Sequence, residues 1–86
     1  MLFLFPQEER LSFWMKNTPL PLDIIFINTA RTIVSIVQNA TPFSEKPLPS
    51  GNPAQFVLEM KAGFCQQHGI AVGDRVEFAG ILPPPS

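Results

Sequence analysis

Cysteine and histidine are nearly missing from this chain, which has only Cys65 and His68 among its 86 residues. A single cysteine excludes an internal disulfide and a zinc site made of cysteine ligands, and it fits a reducing compartment without requiring one. A single histidine with no acidic cluster around it argues against a metal site. No phosphate-binding glycine loop, serine elbow or dinucleotide fingerprint is present. We therefore predict neither a metal nor a cofactor.

A surplus of charge of one sign is also missing. Six Lys and Arg residues balance seven Asp and Glu residues, so that the net charge is -1. Because the basic residues are scattered, we expect no nucleic-acid partner. No apolar run approaches the ~18 residues of a membrane-spanning helix, and the apolar start of the chain is too short for the core of a signal peptide. As given, the sequence is typical of a soluble protein.

Proline and phenylalanine, in contrast, are abundant. The ten prolines limit the length of any helix, and the eight Phe and one Trp supply much of the apolar area for a core. We predict one β-rich domain of the α+β class over residues 1–82, followed by a disordered tail at 83–86. The predicted architecture is a small, partly open barrel or a curled antiparallel sheet with one short helix.

The secondary-structure predictions follow from apolar periodicity and from the positions of Pro and Gly. Strands are predicted over residues 2–5, 11–16, 22–28, 32–38, 55–60 and 75–79. The connections are a polar turn at 7–10, a proline-rich turn at 17–21, a hairpin loop at 29–31 and a long loop at 39–53. A short helix is predicted over residues 62–68, with Gly69 as its left-handed cap and Ile70 as the accompanying hydrophobic contact.

The segment FWMKNTPLPLDIIFIN at residues 13–28 holds the densest group of polar and aromatic side chains. We predict a ligand-binding surface made of Trp14, Lys16, Asn17, Thr18 and Asp23. An aromatic platform beside hydrogen-bonding groups suits a sugar, a peptide or another small polar ligand. The alternative is structural: Asn17 and Thr18 bond their own turn, Asp23 pairs with Lys16 or Arg10, and Trp14 belongs to the core.

Catalytic candidates are few. Asp23 and Glu59 could form the pair of carboxylates that a glycosidase-like hydrolase needs, but the sequence does not give their separation. A strand carboxylate that is solvated or in a salt bridge is the simpler interpretation of Glu59. Cys65 and His68 are three residues apart and could share a helix face, but no third residue orients them. We expect Cys65 to be a buried thiol.

Three blocks of the sequence together resemble one family. FWMKNTPLPLDIIFIN, PAQFVLEMKAG and GIAVGDRVEF, in this order and spacing, resemble the bacterial and archaeal domain of unknown function 192 family over residues 1–78. The resemblance implies a compact β-rich domain with a few short helices and no agreed enzymatic activity. It also implies that members are often exported or attached to membranes through a separate N-terminal signal.

Two departures from the family pattern stand out. The loop at 28–31 reads Asn-Thr-Ala-Arg, where the family usually has Asp or Asn with Gly. Family members also usually carry roughly 30 to 50 further residues before the position of Met1, in keeping with the usual domain size of ~100 residues. A shortened β-domain exposes a sheet edge, so we predict a homodimer or a larger assembly.

The sequence is compatible with three functions. The leading hypothesis is a non-enzymatic binding or accessory module whose surface centres on Trp14, Lys16 and Asn17. The second is a small hydrolase that uses Asp23 and Glu59, and the third is a structural self-assembly domain. The sequence identifies neither the ligand nor the compartment.

Overall fold

Four antiparallel strands and one short helix make up the described part of the chain. The computed structural model describes residues 1–78. Its elements are β1 (Leu2–Phe13), β2 (Leu22–Ile27), β3 (Ile33–Ala40), β4 (Leu48–Lys61) and α1 (Phe64–His68). The strands form one open sheet in the order β1-β4-β2-β3, which leaves β1 and β3 at its edges. This confirms the β-rich α+β class. The tail predicted at 83–86 and the end of the predicted domain lie outside the described residues.

Strand β2 is the centre of the core because both of its faces are covered. Ile24 and Phe26 belong to an apolar cluster on one face, and Ile25 and Ile27 belong to a second cluster on the other face. All four side chains are almost completely buried. Continuous apolar sequence is typical of a strand covered on both sides, so the prediction of a strand here is confirmed.

Strand β1 is one element where the sequence predicted two. Its pairing with β4 is interrupted: Leu4 lies opposite Phe56 and Glu9 lies opposite Ala54, so five steps along β1 match two along β4. The additional residues bulge out of the ladder around Pro6. Proline is tolerated at a bulge on an edge strand, because no neighbour on the outer side needs its missing N–H. The strand end predicted at Pro6 and the turn predicted at 7–10 are therefore wrong.

The loop predicted at 39–53 is wrong at both ends, since β3 continues to Ala40 and β4 begins at Leu48. The prediction failed because two prolines were taken as evidence of a loop. Pro49 lies opposite Ser12 and Pro53 lies opposite Arg10, whereas β2 pairs with β4 only from Phe56 onward. The prolines thus occupy the part of β4 that has a strand neighbour on one side only, where a missing N–H is tolerated.

Helix α1 begins two residues later than predicted and ends where predicted. Gly69 adopts the left-handed conformation with φ 64°, and the N–H of Ile70 donates to the Cys65 carbonyl oxygen at 2.9 Å. This confirms the predicted cap. The strand predicted at 75–79 is wrong within the described residues, because only an isolated bridge joins Arg75 to Thr32. Residue 79 lies outside them.

Candidate functional site

The end of β1 presents alternate side chains to the core and to the outside. Leu11 and Met15 are buried, whereas Ser12, Trp14 and Lys16 are exposed. This agrees with the faces predicted from alternation, although the strand ends at Phe13 and not at Lys16. The N–H of Thr18 donates to the Met15 carbonyl oxygen at 3.1 Å, which closes a turn with Lys16 and Asn17 at its tip.

Trp14 and Lys16 are in contact on the surface. The Trp14 side chain is 56% exposed, and the Lys16 Nζ atom lies 5.2 Å from the centre of its ring. The same Nζ atom is 3.7 Å from Oε1 of Glu45. An ammonium group over an indole face is a cation–π contact, and here it gives an aromatic platform with a charged pair beside it. Trp14 is not a core residue.

A second loop extends this surface. The N–H of Met15 donates to the Ser44 carbonyl oxygen, and the N–H of Phe43 donates to the Thr18 carbonyl oxygen, both at 3.1 Å. These bonds hold the loop at 41–47 beside the segment at 14–21. Thr18 contributes backbone groups to the junction, and its side chain is half-buried.

Two exposed apolar residues on these loops were not identified from the sequence. Leu20 is 59% exposed and Phe43 is 62% exposed. Phe43 also has a positive φ of 60°, which is costly for a residue other than glycine. Strained backbone at an exposed aromatic residue is a signal of function that only coordinates reveal. We call the resulting surface the Trp14 rim, and it comprises Trp14, Lys16, Asn17, Leu20, Phe43 and Glu45.

Two open grooves lie next to the rim, on its β1 side. Both are lined by Ser12, Phe13 and Trp14. The larger, about 340 Å³, is also lined by Phe5 and Leu11, and the smaller, about 180 Å³, by Pro47. Lys16 and Asn17 line neither groove. The concave surface at Trp14 is therefore mainly apolar, with the polar groups beyond it at the turn.

Asp23 does not belong to the rim. It is 1% exposed, its Oδ1 atom accepts the N–H of Asn39 and its Oδ2 atom accepts the N–H of Cys65, each at 2.9 Å. Burial alone would raise the pKa of Asp23, but the N–H groups of Cys65, Asn39 and Gly63 outweigh it and hold the pKa below its ordinary value. Asp23 is thus a buried, ionised carboxylate satisfied by the backbone.

The alternative in which Asp23 pairs with Lys16 or Arg10 is also wrong. Lys16 pairs with Glu45, and Arg10 is an exposed residue of the edge strand. Backbone N–H groups can satisfy a buried carboxylate in place of a cation, and the sequence does not distinguish the two cases.

The register of the sheet separates Asp23 from Glu59. Asp23 lies opposite Met60 on β4, and Glu59 lies opposite Ile24 on β2. Directly opposed residues share a face of the sheet and successive residues alternate, so the Asp23 and Glu59 side chains point to opposite faces. Burial raises the pKa of Glu59. The structure does not bring the two carboxylates together across a cleft, so the arrangement expected of a glycosidase is not formed.

Cys65 and His68 do not make a nucleophile and its base. Cys65 is completely buried, and burial, the Asp23 charge and a hydrogen bond to Asp23 raise the pKa of its thiol to about 11. The His68 ring packs against Phe64, with ring centres 4.4 Å apart. Across residues 1–78, no group of three or more His, Cys, Asp or Glu side chains could hold a metal ion. No helix in that range is long and apolar enough to cross a membrane.

A second concave surface was missed because its parts are distant in sequence. Its volume is about 290 Å³, and its lining consists of Asp23, Gln38, Asn39, Ala62, Gly63 and Gln66. Since both carboxylate oxygens of Asp23 are already bonded, neutral amide groups dominate what this surface offers to a ligand.

Two solved structures are similar to the chain, each with a TM-score of 0.87. One, a protein of unknown function from Novosphingobium aromaticivorans DSM 12444, is 44% identical, with 91% of this chain and 56% of that chain covered. The other, a proposed transcription regulator from Sinorhizobium meliloti 1021, is 45% identical, with 90% of this chain and 60% of that chain covered. This chain therefore spans less than two thirds of either solved chain. No curated protein matches it.

The family comparison confirms the resemblance seen in the sequence. The model of the DUF192 family, described as uncharacterized ACR, matches residues 1–78. Because that match covers most of the chain, the protein belongs to the DUF192 family.

Proposed function

We propose that the protein is a non-enzymatic binding module whose ligand lies on the Trp14 rim and in the two adjoining grooves. The observation that carries this proposal is the exposed indole of Trp14, which has the Lys16 ammonium group 5.2 Å from its ring centre and lines both grooves. An exposed aromatic ring costs free energy in water, and its burial by a ligand recovers that cost.

The chemistry of the surface favours binding over catalysis. Its two charged groups, Lys16 and Glu45, lie beside each other, so neither is placed as an isolated acid or base. The buried Asp23 carboxylate is occupied by backbone donors, and Glu59 lies on the other face of the sheet. What is left is a mainly apolar, concave surface with a few polar groups, which is typical of a binding site.

The ligand class follows from the same groups. The indole face and the apolar grooves require a ligand with an apolar side, and the Asn17 amide and the Lys16–Glu45 pair require hydrogen-bonding groups at its margin. A sugar ring or a short peptide meets both requirements. The chain has a net charge of -1. We therefore do not extend the description of the Sinorhizobium protein as a transcription regulator to this chain.

Self-association is a second candidate, favoured by the edge of the sheet at β1, which no strand of residues 1–78 covers on its outer side. An unpaired edge strand is a template for another chain, and exposed Leu20 and Phe43 would add apolar area to such a contact. A mass that rises with concentration in sedimentation would support this function.

The test compares Trp14→Ala with a matched control, Val72→Ala. Both residues are exposed apolar residues, but Val72 lies outside the rim. The probes are an array of neutral oligosaccharides and a displayed library of random peptides of about six residues, the usual length of a strand. Each selected probe is then titrated by calorimetry.

We expect Trp14→Ala to fold and to lose more than about tenfold in affinity, equivalent to about 1.4 kcal/mol. Val72→Ala should bind as the wild type does. Wild-type affinity in Trp14→Ala, or unfolding of that variant, would contradict the proposal.

A further inference from the structure

The outer side of β1 has no strand neighbour among residues 1–78, and its backbone orientation near Ser12 is fixed by the fold. The N–H of Leu11 donates to Oγ of Ser50 on β4 at 2.9 Å, so the Leu11 peptide group points toward the sheet. Backbone groups of successive residues in a strand point to opposite sides. The N–H and C=O of Ser12 therefore point away from the sheet, toward its outer edge.

The prolines of β4 support this orientation. Ser12 lies opposite Pro49 and Arg10 lies opposite Pro53. Proline has no N–H to donate, so β4 cannot supply a hydrogen bond to the carbonyl of either opposed residue. Both positions behave as non-hydrogen-bonded pairs, in which the backbone groups face outward. Arg10 and Ser12 thus present alternate donors and acceptors along an open edge.

The part of this edge that could pair with another strand is limited at both ends. Before Glu9, the strand bulges out of register with β4. After Trp14, the N–H of Met15 is taken by the Ser44 carbonyl oxygen. The open edge therefore covers residues 10–14, and the two grooves lined by Ser12, Phe13 and Trp14 adjoin it.

We propose that the ligand of the rim is an extended peptide segment that adds a strand to the outer edge of β1 at residues 10–14. This rests on the proposed binding function and names its ligand class. Main-chain hydrogen bonds at Arg10 and Ser12 provide affinity, and an apolar side chain of the peptide fills the groove of about 340 Å³. The neighbouring side chain of the peptide points to the opposite face, on which Ser12 and Trp14 are exposed.

A peptide fits this edge better than a sugar or a second copy does. A sugar has no row of alternating N–H and C=O groups to match the strand. On the core face of β1, a second copy pairing through its own residues 10–14 would present Leu11 and Phe13 to the groove. Leu11 is buried, and the Phe13 ring packs on Phe3, Phe5 and Phe26. Those side chains are held in the copy's own core and cannot enter a groove on its neighbour.

The experiment selects peptides of about six residues from a displayed random library on the wild-type protein. The selected peptide is synthesised in three forms, one with ordinary amides and two with N-methyl groups at alternate residues, one for each register. Two variants are compared with the wild type: Ser12→Pro, which removes the outward N–H, and Ser12→Ala, which keeps it. An edge strand tolerates proline at an outward position.

We expect one register of N-methylation and Ser12→Pro each to weaken binding by more than about tenfold, and Ser12→Ala, which keeps the N–H, to weaken it less than Ser12→Pro does. Equal binding of all peptide forms to the wild-type protein would overturn strand addition, and this arm does not depend on the folding of any variant. Selection of oligosaccharides but no peptides, or a dimer that Ser12→Pro abolishes without peptide, would also overturn it. If Trp14→Ala loses affinity while N-methylation has no effect, the binding function stands and only strand addition fails.

Discussion

The carboxylate of Asp23 is joined to the backbone of Cys65: Oδ2 accepts the Cys65 N–H at 2.9 Å, and both groups are buried. Its other oxygen accepts the Asn39 N–H at 2.9 Å. One side chain on β2 thus ties the start of α1 to the end of β3. Hydrogen bonds from N–H groups to an ionised carboxylate are among the stronger ones in proteins. We infer that Asp23 supports the fold and does not contact a ligand.

Asp23→Asn should destabilise the protein by about 1–3 kcal/mol, because the amide NH₂ cannot accept the bond that one carboxylate oxygen accepts. Urea unfolding measures the change. The matched control is Asp74→Asn, since Asp74 also accepts a backbone N–H at 2.9 Å, from Ala71, but in an exposed turn. The control should lose less than about 1 kcal/mol. Equal losses would show that burial of Asp23 has no special effect.

The free energy of unfolding should depend on pH in the way that the lowered pKa of Asp23 requires. The folded pKa lies below the ordinary value of 3.8, so the unfolded chain binds the proton more readily. The stabilisation is complete above pH 3.8 and is lost as the pH falls through the lower, folded pKa. The difference in unfolding free energy between wild type and Asp23→Asn should therefore shrink below pH 3.8 in urea titrations. A difference that stays constant down to pH 2 would contradict the assignment.

Cys65 should be inert in the native protein. Burial and the Asp23 carboxylate raise its pKa from 9.0 to about 11, so the thiolate fraction at pH 8 falls by about a hundredfold. Alkylation by iodoacetamide, followed by mass spectrometry, should be at least that much slower in buffer than in denaturing urea. Asp23→Asn removes the neighbouring charge and should speed the native reaction. Similar native and unfolded rates would argue against the buried position.

Phe43 should contribute little to stability despite its size. It is 62% exposed and has a φ of 60°, a conformation that asparagine tolerates better. Phe43→Asn should match the wild type or exceed it by up to about 1 kcal/mol in thermal or urea unfolding. Phe43→Ala keeps the strain, so it should be less stable than Phe43→Asn. Both variants should bind the selected ligand more weakly. A loss of several kcal/mol would mean that Phe43 packs as a core residue.

The parts of the fold that follow from apolar periodicity were predictable. The run of Ile and Phe residues was enough to predict strand β2, and Gly69 in the cap was enough to predict the end of α1. The same reasoning gave wrong strand limits at Pro6, Pro49 and Pro53, because each proline was taken to end or exclude a strand. Whether a proline breaks a strand depends on whether a neighbour needs its N–H, and that is decided by the strand order, which local sequence does not contain.

The candidate site was predicted in part for a related reason. Alternation placed Trp14 and Lys16 on one exposed face, and the structure brings them together. Asp23 was placed with them because it is close in sequence, but β2 buries it against the backbone N–H groups of Asn39 and Cys65. Leu20 and Phe43 were missed because their exposure depends on how two loops meet. The predicted dimer stays a prediction, to be tested by sedimentation.

The most direct test of the central claim is amide mapping by NMR. The wild-type protein, labelled with nitrogen-15, is titrated with the selected peptide, and hydrogen exchange is followed in the complex. We predict that shift changes concentrate at residues 10–17 and Phe43, with the Ser12 N–H newly protected from exchange. Changes centred instead on Gln38, Asn39 and Gln66, with the Ser12 N–H exchanging as before, would contradict the account.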